Sequence, residues 1–279
     1  MIIESERLKL RRLSRDDVDF ILAVTNDKQW LTFIGDRGIN DDGQASQYIS
    51  VASDSFAAKG YGLWLVEAID AEGDNLWSKP NIIKTHNASY LPRFQELCEK
   101  YDLKPTYLTN YEMVNSDVFQ EFGQALIRKE TGEIGMHLHA WNSPPIHPLT
   151  SNDYHYQPFL TEYPVKIMEK KIESMTKLLE DTFNVKIGSH RSGRWALNQN
   201  YIDLLIKYGY KSDCSVTPLR SWKNTLGKPD GKGGSDYTSY PNYPYWMKSS
   251  NINLKEKLLQ IPMTIISKTN WINFVVGKN

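Results

Sequence analysis

Three short clusters of acidic, histidine and arginine side chains stand out in this chain, at residues 70–74, 135–141 and 190–195. Each cluster follows a short apolar run that can form a β-strand. Because parallel α/β sheets and barrels carry their chemistry at the C-terminal ends of their strands, the three clusters can meet at one edge of such a sheet. The pattern therefore predicts a site assembled from separate strand ends.

The second cluster has the residue types and spacing of a metal site. His137 and His139 are two residues apart, so on a strand their side chains point to the same face. Asp70, Glu72 or Asp74 can supply a carboxylate ligand and leave one coordination position open for water. A metal there lowers the pKa of water toward about 7, and a second carboxylate can accept the proton. The residues predict metal-assisted hydrolysis; the alternative is a hydrogen-bonded polar layer without a metal.

Composition limits the other possibilities. The 279 residues are 40% hydrophobic and 24% charged, as in a globular protein with one large domain or two unequal ones. The 33 basic and 33 acidic residues give a net charge of zero, so we expect neither a nucleic-acid nor a membrane partner. No signal peptide or apolar run of about 18 residues is present, which predicts a cytoplasmic protein. The separated Cys98 and Cys214 predict two reduced thiols. The oligomeric state is not indicated.

The first 66 residues differ from the rest. A strand at 7–13, a helix that begins after Ser14, a second helix at 44–58 and a strand at 61–66 are predicted by the spacing of their apolar residues. We therefore divide the chain into a domain at 1–66 and a larger one at 67–279.

Residues 4–11 and 60–64 resemble the first half of a GNAT acetyltransferase of the ribosomal-protein-acetylating type. The resemblance implies a small α+β segment and an acyl-CoA-dependent transferase fragment as an alternative function. That family binds acetyl-CoA through a glycine-containing turn that opens a helix, and this turn is not found in the sequence. The glycine-rich segment 227–234 lacks the flanking strand and helix and is predicted to be a loop.

From residue 67 onward, strands and helices alternate, which predicts a parallel sheet or barrel covered by helices. The predicted strands are 66–69, 104–108, 133–139, 185–189 and 214–217, and the predicted helices are 89–101, 116–129, 165–183 and 197–208. Two long irregular stretches, 142–163 and 219–245, interrupt the pattern and are typical of binding loops. The aromatic residues near the second stretch either stack on sugar rings or anchor the loop by packing; they are Tyr237, Tyr240, Tyr243, Tyr245 and Trp246.

Segments 70–74, 133–137 and 191–195 resemble, in order, the motifs of the polysaccharide deacetylases, the NodB-homology group of carbohydrate esterase family 4. The Glu-Gly-Asp-Asn-Leu-Trp and His-Leu-His-x-Trp-Asn-x-Pro-Pro segments are closest to a WalW-like branch, and the resemblance spans about residues 67–266. It implies a distorted (β/α) barrel. It also implies metal-dependent removal of acetyl groups from N-acetylated sugars or polysaccharides, with zinc as the expected divalent metal.

The resemblance also implies roles for individual residues. Asp70 matches the catalytic base, Glu72 or Asp74 the metal carboxylate, His137 the first metal histidine, and Arg191 the arginine that orients a catalytic acid.

The second metal histidine is less directly matched. The family places it four residues after the first, where this chain has Trp141. We predict His139 in this role, with His147 as the alternative.

A substrate-binding surface is predicted from aromatic and arginine side chains near these motifs. Its members are Trp141, Arg194, Trp195, Tyr245 and Trp246. Arg194 can hold a carboxylate through its planar fork, or equally form a structural ion pair. His190 is predicted either to support the site residues through a hydrogen bond or to be structural.

The end of the sequence departs from the family. A late barrel strand is predicted at 258–264, after which the family carries a Leu-x-His motif whose histidine is the general acid, but no histidine follows His190. We therefore expect a barrel that is incomplete at its C-terminal end and a site that holds metal without this acid. A strand at 63–69 would join the two family fragments, as a gene fusion or an assembly artefact would produce. A non-catalytic, sugar-binding or vestigial fusion protein is the third hypothesis.

Overall fold

The computed structural model describes residues 3–4, 9–26, 36–59, 64–65, 68–80, 82–101 and 103–263. The chain forms two compact units, Met1–Val66 and Glu67–Asn279. The apolar run at residues 271–276 of the sequence and the last residue of the predicted strand at 258–264 lie outside the described residues.

The described residues of the first unit form a three-stranded antiparallel sheet and two helices. Its elements are β1 (Ile3–Glu4), β2 (Lys9–Arg12), α1 (Val18–Thr25), α2 (Asp42–Lys59) and β3 (Trp64–Leu65), with β2 in the centre of the sheet. A single 3-10 turn after Ser14 leads into α1, and the Asp17 carboxylate accepts a hydrogen bond from the Ser14 backbone N–H at 2.7 Å. The predicted strand, helix, helix, strand order is observed for the described residues.

The second unit is a mostly parallel sheet with helices between its strands. Its strands are β4 (Ala68–Ala71), β5 (Thr106–Thr109), β6 (Glu133–Leu138), β7 (Ser189–Ser192), β8 (Ser212–Asp213), β9 (Tyr245–Lys248) and β10 (Lys257–Gln260). Its helices are α3 (Leu91–Lys100), α4 (Tyr111–Val114), α5 (Asp117–Lys129), α6 (Asp153–Tyr156), α7 (Val165–Phe183) and α8 (Gln199–Lys207).

The strands lie in the order β4-β5-β6-β7-β8-β10-β9, and all neighbours are parallel except β9 and β10. Among the described residues this sheet has two ends, at β4 and β9. The mixed α/β class and the parallel sheet agree with the prediction. The predicted continuous strand at 63–69 includes residues outside the described part of the chain; its described portions belong to two different sheets, through Trp64–Leu65 and Ala68–Ala71.

Two strands of the second unit lie away from their predicted positions. The strand predicted at 185–189 is instead Ser189–Ser192, where His137 pairs with Arg191 across β6 and β7. The strand predicted at 214–217 is instead Ser212–Asp213. In both cases the strand pairing is made by buried polar residues, because their side chains find hydrogen-bond partners in the sheet.

Helix α7 covers the sheet, packing against β6 and against the neighbouring helices α5 and α8. Its buried side chains recur every three to four residues, which places them on one face: Met168, Ile172, Met175, Leu179 and Phe183. Cys98 and Cys214 are buried free thiols, as predicted. None of the described helices combines the length and apolar content needed to cross a bilayer.

The two long connections are anchored to each other. The Glu162 carboxylate, in the first connection, accepts a hydrogen bond from the Lys228 backbone N–H at 3.1 Å. A side chain at Gly227 or Gly231 would collide with this carboxylate. The glycine-rich segment is therefore a loop, as predicted, and its glycines allow it to close around Glu162.

Candidate metal centre

Three predicted ligands converge where β4 and β6 end. Glu72 directly follows β4, His137 lies in β6 and His139 directly follows it. Glu72 Oε2 is 3.4 Å from His137 Nε2 and 3.0 Å from His139 Nε2. One ligand atom from each side chain lies within 4.8 Å of the others. The two-residue spacing brings both imidazoles to one face, and their ring centroids are 4.5 Å apart.

The backbone fixes the orientation of the first imidazole. His137 Nδ1 lies 3.0 Å from the carbonyl oxygen of Arg191. Because a carbonyl oxygen only accepts hydrogen bonds, Nδ1 carries a proton, and Nε2 is the nitrogen that faces Glu72. Histidines that ligate metals commonly donate a hydrogen bond from the non-ligating ring nitrogen, here Nδ1, to a backbone carbonyl.

An acid–base pair lies beside the three ligands. Arg191, on β7, donates from Nη1 to Asp70 Oδ1 at 2.7 Å. Arg191 is itself fixed by a hydrogen bond from Nε to the Cys214 carbonyl at 3.2 Å and by the Trp195 ring, 5.2 Å from its guanidinium carbon. The Asp70 side chain remains 26% exposed. Arg191 thus fixes the position of the Asp70 carboxylate, which remains accessible to solvent.

Charge at the centre favours a cation. Burial alone would raise the pKa of Glu72, but hydrogen bonds and charge from His137 and His139 outweigh burial and hold that pKa well below its usual range. Burial alone would lower the pKa of His137, but Asp70 and Glu72 raise it. The pKa of His139 is lowered, chiefly by burial and then by the charge of His137. The carboxylates of Asp70 and Glu72 carry one more negative charge than Arg191 can neutralise. A proton or a metal ion is therefore needed to balance the charge.

The donor set fits a divalent metal. Ligand atoms about 2.0–2.1 Å from a tetrahedral zinc ion lie roughly 3.3 Å from one another, close to the 3.0 and 3.4 Å observed here. Two imidazoles and one carboxylate also leave a fourth position open, as in catalytic zinc sites. On the fully buried His139, Nδ1 has no hydrogen-bond partner among the described residues, so Nε2 makes the polar contact of this ring.

Two other predicted ligands lie outside this cluster. The Asp74 carboxylate contacts the His86 ring at 3.5 Å and the Asn87 backbone N–H at 3.4 Å. His147 is exposed, and its ring lies 6.3 Å from that of Tyr163. The structure thus selects Glu72 over Asp74 and His139 over His147 for the convergent set.

The predicted substrate residues lie in two places: Trp141, Arg194 and Trp195 lie near the centre or the long connections, and Tyr245 and Trp246 lie on β9. Trp141 lies beside the centre, 4.5 Å from the His139 ring, but is only 3% exposed. Trp195 stacks on Arg191. Arg194 donates to the Gln157 and Leu226 carbonyls, one in each long connection, and lies over the Phe159 ring. Arg194 therefore anchors the two connections to each other through backbone carbonyls.

Tyr245 and Trp246 lie on β9, which is three strands away from β7 in sheet order. Tyr245 packs against the core, whereas Trp246 is exposed. Tyr237 is buried and donates its hydroxyl to the Trp195 carbonyl at 2.5 Å, so this tyrosine anchors its loop.

His190 faces away from the three predicted ligands. Its Nδ1 is 2.6 Å from Asp213 Oδ1 and its Nε2 is 2.7 Å from the Tyr201 hydroxyl. Alternation along β7 sends His190 and Arg191 to opposite faces. The buried environment supports the predicted structural role.

Two residues at the centre were not found from the sequence. Trp77 donates its indole N–H to Glu72 Oε1 at 2.7 Å. Glu112 accepts hydrogen bonds from the Gly73 backbone N–H at 3.2 Å and from Asn142 Nδ2 at 2.9 Å, so it links the loop after β4 to the loop after β6. The Trp in the Glu-Gly-Asp-Asn-Leu-Trp segment was the available signal for Trp77. Glu112 belongs to no motif.

No family model and no curated protein matches this chain. Similar solved structures include a protein proposed to be a polysaccharide deacetylase from Mycobacterium smegmatis, at 13% identity and a TM-score of 0.45 over 71% of this chain and 58% of that one. A CE4 family pseudoenzyme from Bacillus anthracis has 13% identity and a TM-score of 0.37, covering 57% and 45%.

The CE4 domain of a multidomain xylanase from the hindgut metagenome of Trinervitermes trinervoides has 15% identity and a TM-score of 0.35, covering 56% and 58%. The chain thus spans 45% to 58% of the length of these three structures. At these identities and TM-scores, the matches assign neither a fold family nor an activity to the chain. Nothing in these comparisons supports the acetyltransferase resemblance of residues 1–66, which stays a prediction.

Proposed function

We propose that the chain is a metal-dependent hydrolase that removes acetyl groups from N-acetylated sugars or polysaccharides, with zinc bound by Glu72, His137 and His139. The observation that carries the proposal is the convergence of these three ligands beside the Asp70–Arg191 pair. The order of the sequence motifs supports the same reaction. A carbohydrate partner is part of this proposal.

In the proposed amide hydrolysis, each step is assigned to a particular side chain. A divalent cation held by Glu72, His137 and His139 would supply Lewis-acid chemistry, polarising a carbonyl and favouring deprotonation of water. Arg191 holds Asp70 by Oδ1, which leaves Oδ2 to accept the proton from water. We also assign to Asp70 the return of this proton to the departing nitrogen, because this carboxylate lies beside the ligands and is open to solvent. One carboxylate then serves as base and acid in turn.

The metal site is tested by measuring zinc binding to the purified protein and to the double variant His137→Ala, His139→Ala. We expect the wild type to bind one zinc ion and the variant to bind none, because two of three protein ligands are lost. His155→Ala is the matched control, since His155 lies outside the cluster. Equal zinc content in wild type and double variant would contradict the site.

The reaction is tested by measuring acetate released from N-acetylglucosamine oligomers by the zinc-loaded protein. Asp70→Asn should lower the rate by about 10²–10⁴-fold, the usual contribution of a general base, while zinc content stays unchanged. Zinc binding without acetate release in the wild type would contradict the hydrolase proposal and leave a metal-binding protein.

A further inference from the structure

We propose that Trp77 is both the positioning residue of the metal ligand Glu72 and the surface on which a sugar ring of the substrate stacks. The proposal rests on the metal-dependent deacetylation described above. It assigns a role to a residue that lies outside the predicted ligands and the predicted substrate surface.

The first role follows from the two oxygens of one carboxylate. Trp77 Nε1 donates to Glu72 Oε1 at 2.7 Å, while Oε2 faces His137 and His139. The terminal torsion of a glutamate is broad, so a carboxylate without this contact samples other orientations. The indole N–H therefore selects the orientation in which one oxygen is directed to the metal position.

The second role follows from where the indole ring lies. Its centroid is 5.4 Å from that of His139, at an interplanar angle of 79°, and 6.1 Å from that of Trp141. The three rings form one aromatic cluster next to Glu72. Within this cluster Trp141 is 3% exposed, whereas Trp77 is 52% exposed. Trp77 is thus the member of the cluster that a ligand in solution can reach.

The position of the ring favours a sugar as its partner. A half-exposed tryptophan offers a large, rigid apolar face, and the C–H face of a pyranose can cover it while the hydroxyl groups stay in water. A ring stacked there lies beside the ligand cluster, where an acetamido substituent can reach Glu72 and its neighbours. The predicted substrate residue Trp141 is buried and packs on the inner side of the aromatic cluster.

The two roles use different parts of one side chain, so they can be separated. Trp77→Phe removes the N–H and keeps an aromatic face, whereas Trp77→Ala removes both. Tyr90→Ala is a matched control, because Tyr90 is a 58% exposed aromatic residue outside the metal cluster. Since Trp77 is half exposed, we expect all three variants to fold; circular dichroism and thermal unfolding check this.

The experiment measures zinc affinity by chelator competition and binding of an N-acetylglucosamine tetramer by calorimetry. We expect Trp77→Phe to weaken zinc binding about tenfold, which is the lower end of the range for loss of a residue that orients a metal ligand. Tetramer binding should stay near that of wild type. Trp77→Ala should weaken zinc binding equally and also weaken tetramer binding roughly threefold to tenfold. Tyr90→Ala should change neither.

The outcomes distinguish this proposal from the one it rests on. If the wild type binds zinc and Trp77→Phe binds it equally tightly, the positioning role is overturned and the metal centre stands. If Trp77→Ala binds the tetramer as tightly as wild type, or the wild type does not bind it, the stacking role is overturned. A wild type that binds no zinc would overturn the metal centre together with the positioning role.

Discussion

Lys171 shows how strongly the surroundings of one side chain can change its properties. The residue has no exposed surface, and Nζ donates to the Ser143 and Pro145 carbonyls at 2.7 Å each. The ammonium group also lies 5.2 Å from the centre of the Tyr163 ring. Burial lowers the pKa of Lys171 to about 8, and the negative charge of Asp153 opposes this shift. A lysine on helix α7 thus holds the start of the first long connection.

This buried lysine makes stability depend on pH in a defined direction. Because the pKa is about 8 in the folded protein and about 10.4 in an unfolded chain, the unfolded state binds more protons between these values. The free energy of unfolding therefore rises with pH in this range. Relative to Lys171→Met, we expect the wild type to gain roughly 2 kcal/mol between pH 7 and pH 10.

Urea unfolding of both proteins across this pH range measures the difference. The comparison with Lys171→Met cancels the contributions of other titrating groups, such as exposed lysines and tyrosines. A difference between the two proteins that stays constant from pH 7 to pH 10 would contradict the lowered pKa.

At the scale of elements, the end of β6 depends on a glycine that follows β7. A Cβ atom at Gly193 would lie 2.5 Å from the Leu138 carbonyl oxygen and 2.7 Å from His139 Nδ1. The strand end that carries His139 can approach β7 this closely only because residue 193 has no side chain.

Gly193→Ala should therefore disturb the metal centre as well as stability. We expect the free energy of unfolding to fall by about 1–3 kcal/mol, as in an overpacked core, and zinc affinity to fall about tenfold because His139 is displaced. Urea unfolding and chelator competition measure the two effects.

Gly209→Ala separates a loss of stability from a loss of zinc affinity. Gly209 has φ +85°, and a Cβ atom there would have no described neighbour within 4 Å. Alanine at this position therefore costs about 1–2 kcal/mol through backbone strain alone. Its zinc affinity should equal that of wild type. Equal zinc affinity in Gly193→Ala and Gly209→Ala would show that the contact with His139 has no influence on the site.

The elements also show where sequence periodicity succeeds and fails. Helix α7 occupies Val165–Phe183, as its apolar spacing predicts, because one face of the helix is buried and the other is in water. Strand β7 is buried although it is polar: Ser189 donates to Glu133 Oε2 at 3.0 Å, and Arg191 pairs with Asp70. Partners from other strands make this burial favourable, and they are not visible in the local sequence.

For the whole molecule, the proposed metal centre lies within the second unit. Glu72, His137 and His139 all lie within Glu67–Asn279, as do Trp77 and Glu112. The division of the chain at residue 67 therefore leads to a direct test of the two predicted domains.

A protein consisting of residues 67–279 should fold and bind zinc with the affinity of the full chain, since the three ligands and the positioning contacts described above are retained. Circular dichroism and chelator competition on the two proteins measure this. Loss of zinc binding on removal of residues 1–66 would contradict the independence of the second domain.

The residue types of the site, the placement of His137 and His139 on one strand face, and the alternation of strands and helices all follow from the amino-acid sequence. These depend on local periodicity, which each segment carries alone. Three features depend on the folded chain: Glu72 rather than Asp74 contacts His137 and His139, Arg194 anchors loops, and Trp77 and Glu112 lie at the centre. Such choices depend on contacts between segments distant in sequence, and the sheet has to bring those segments together before the contacts exist.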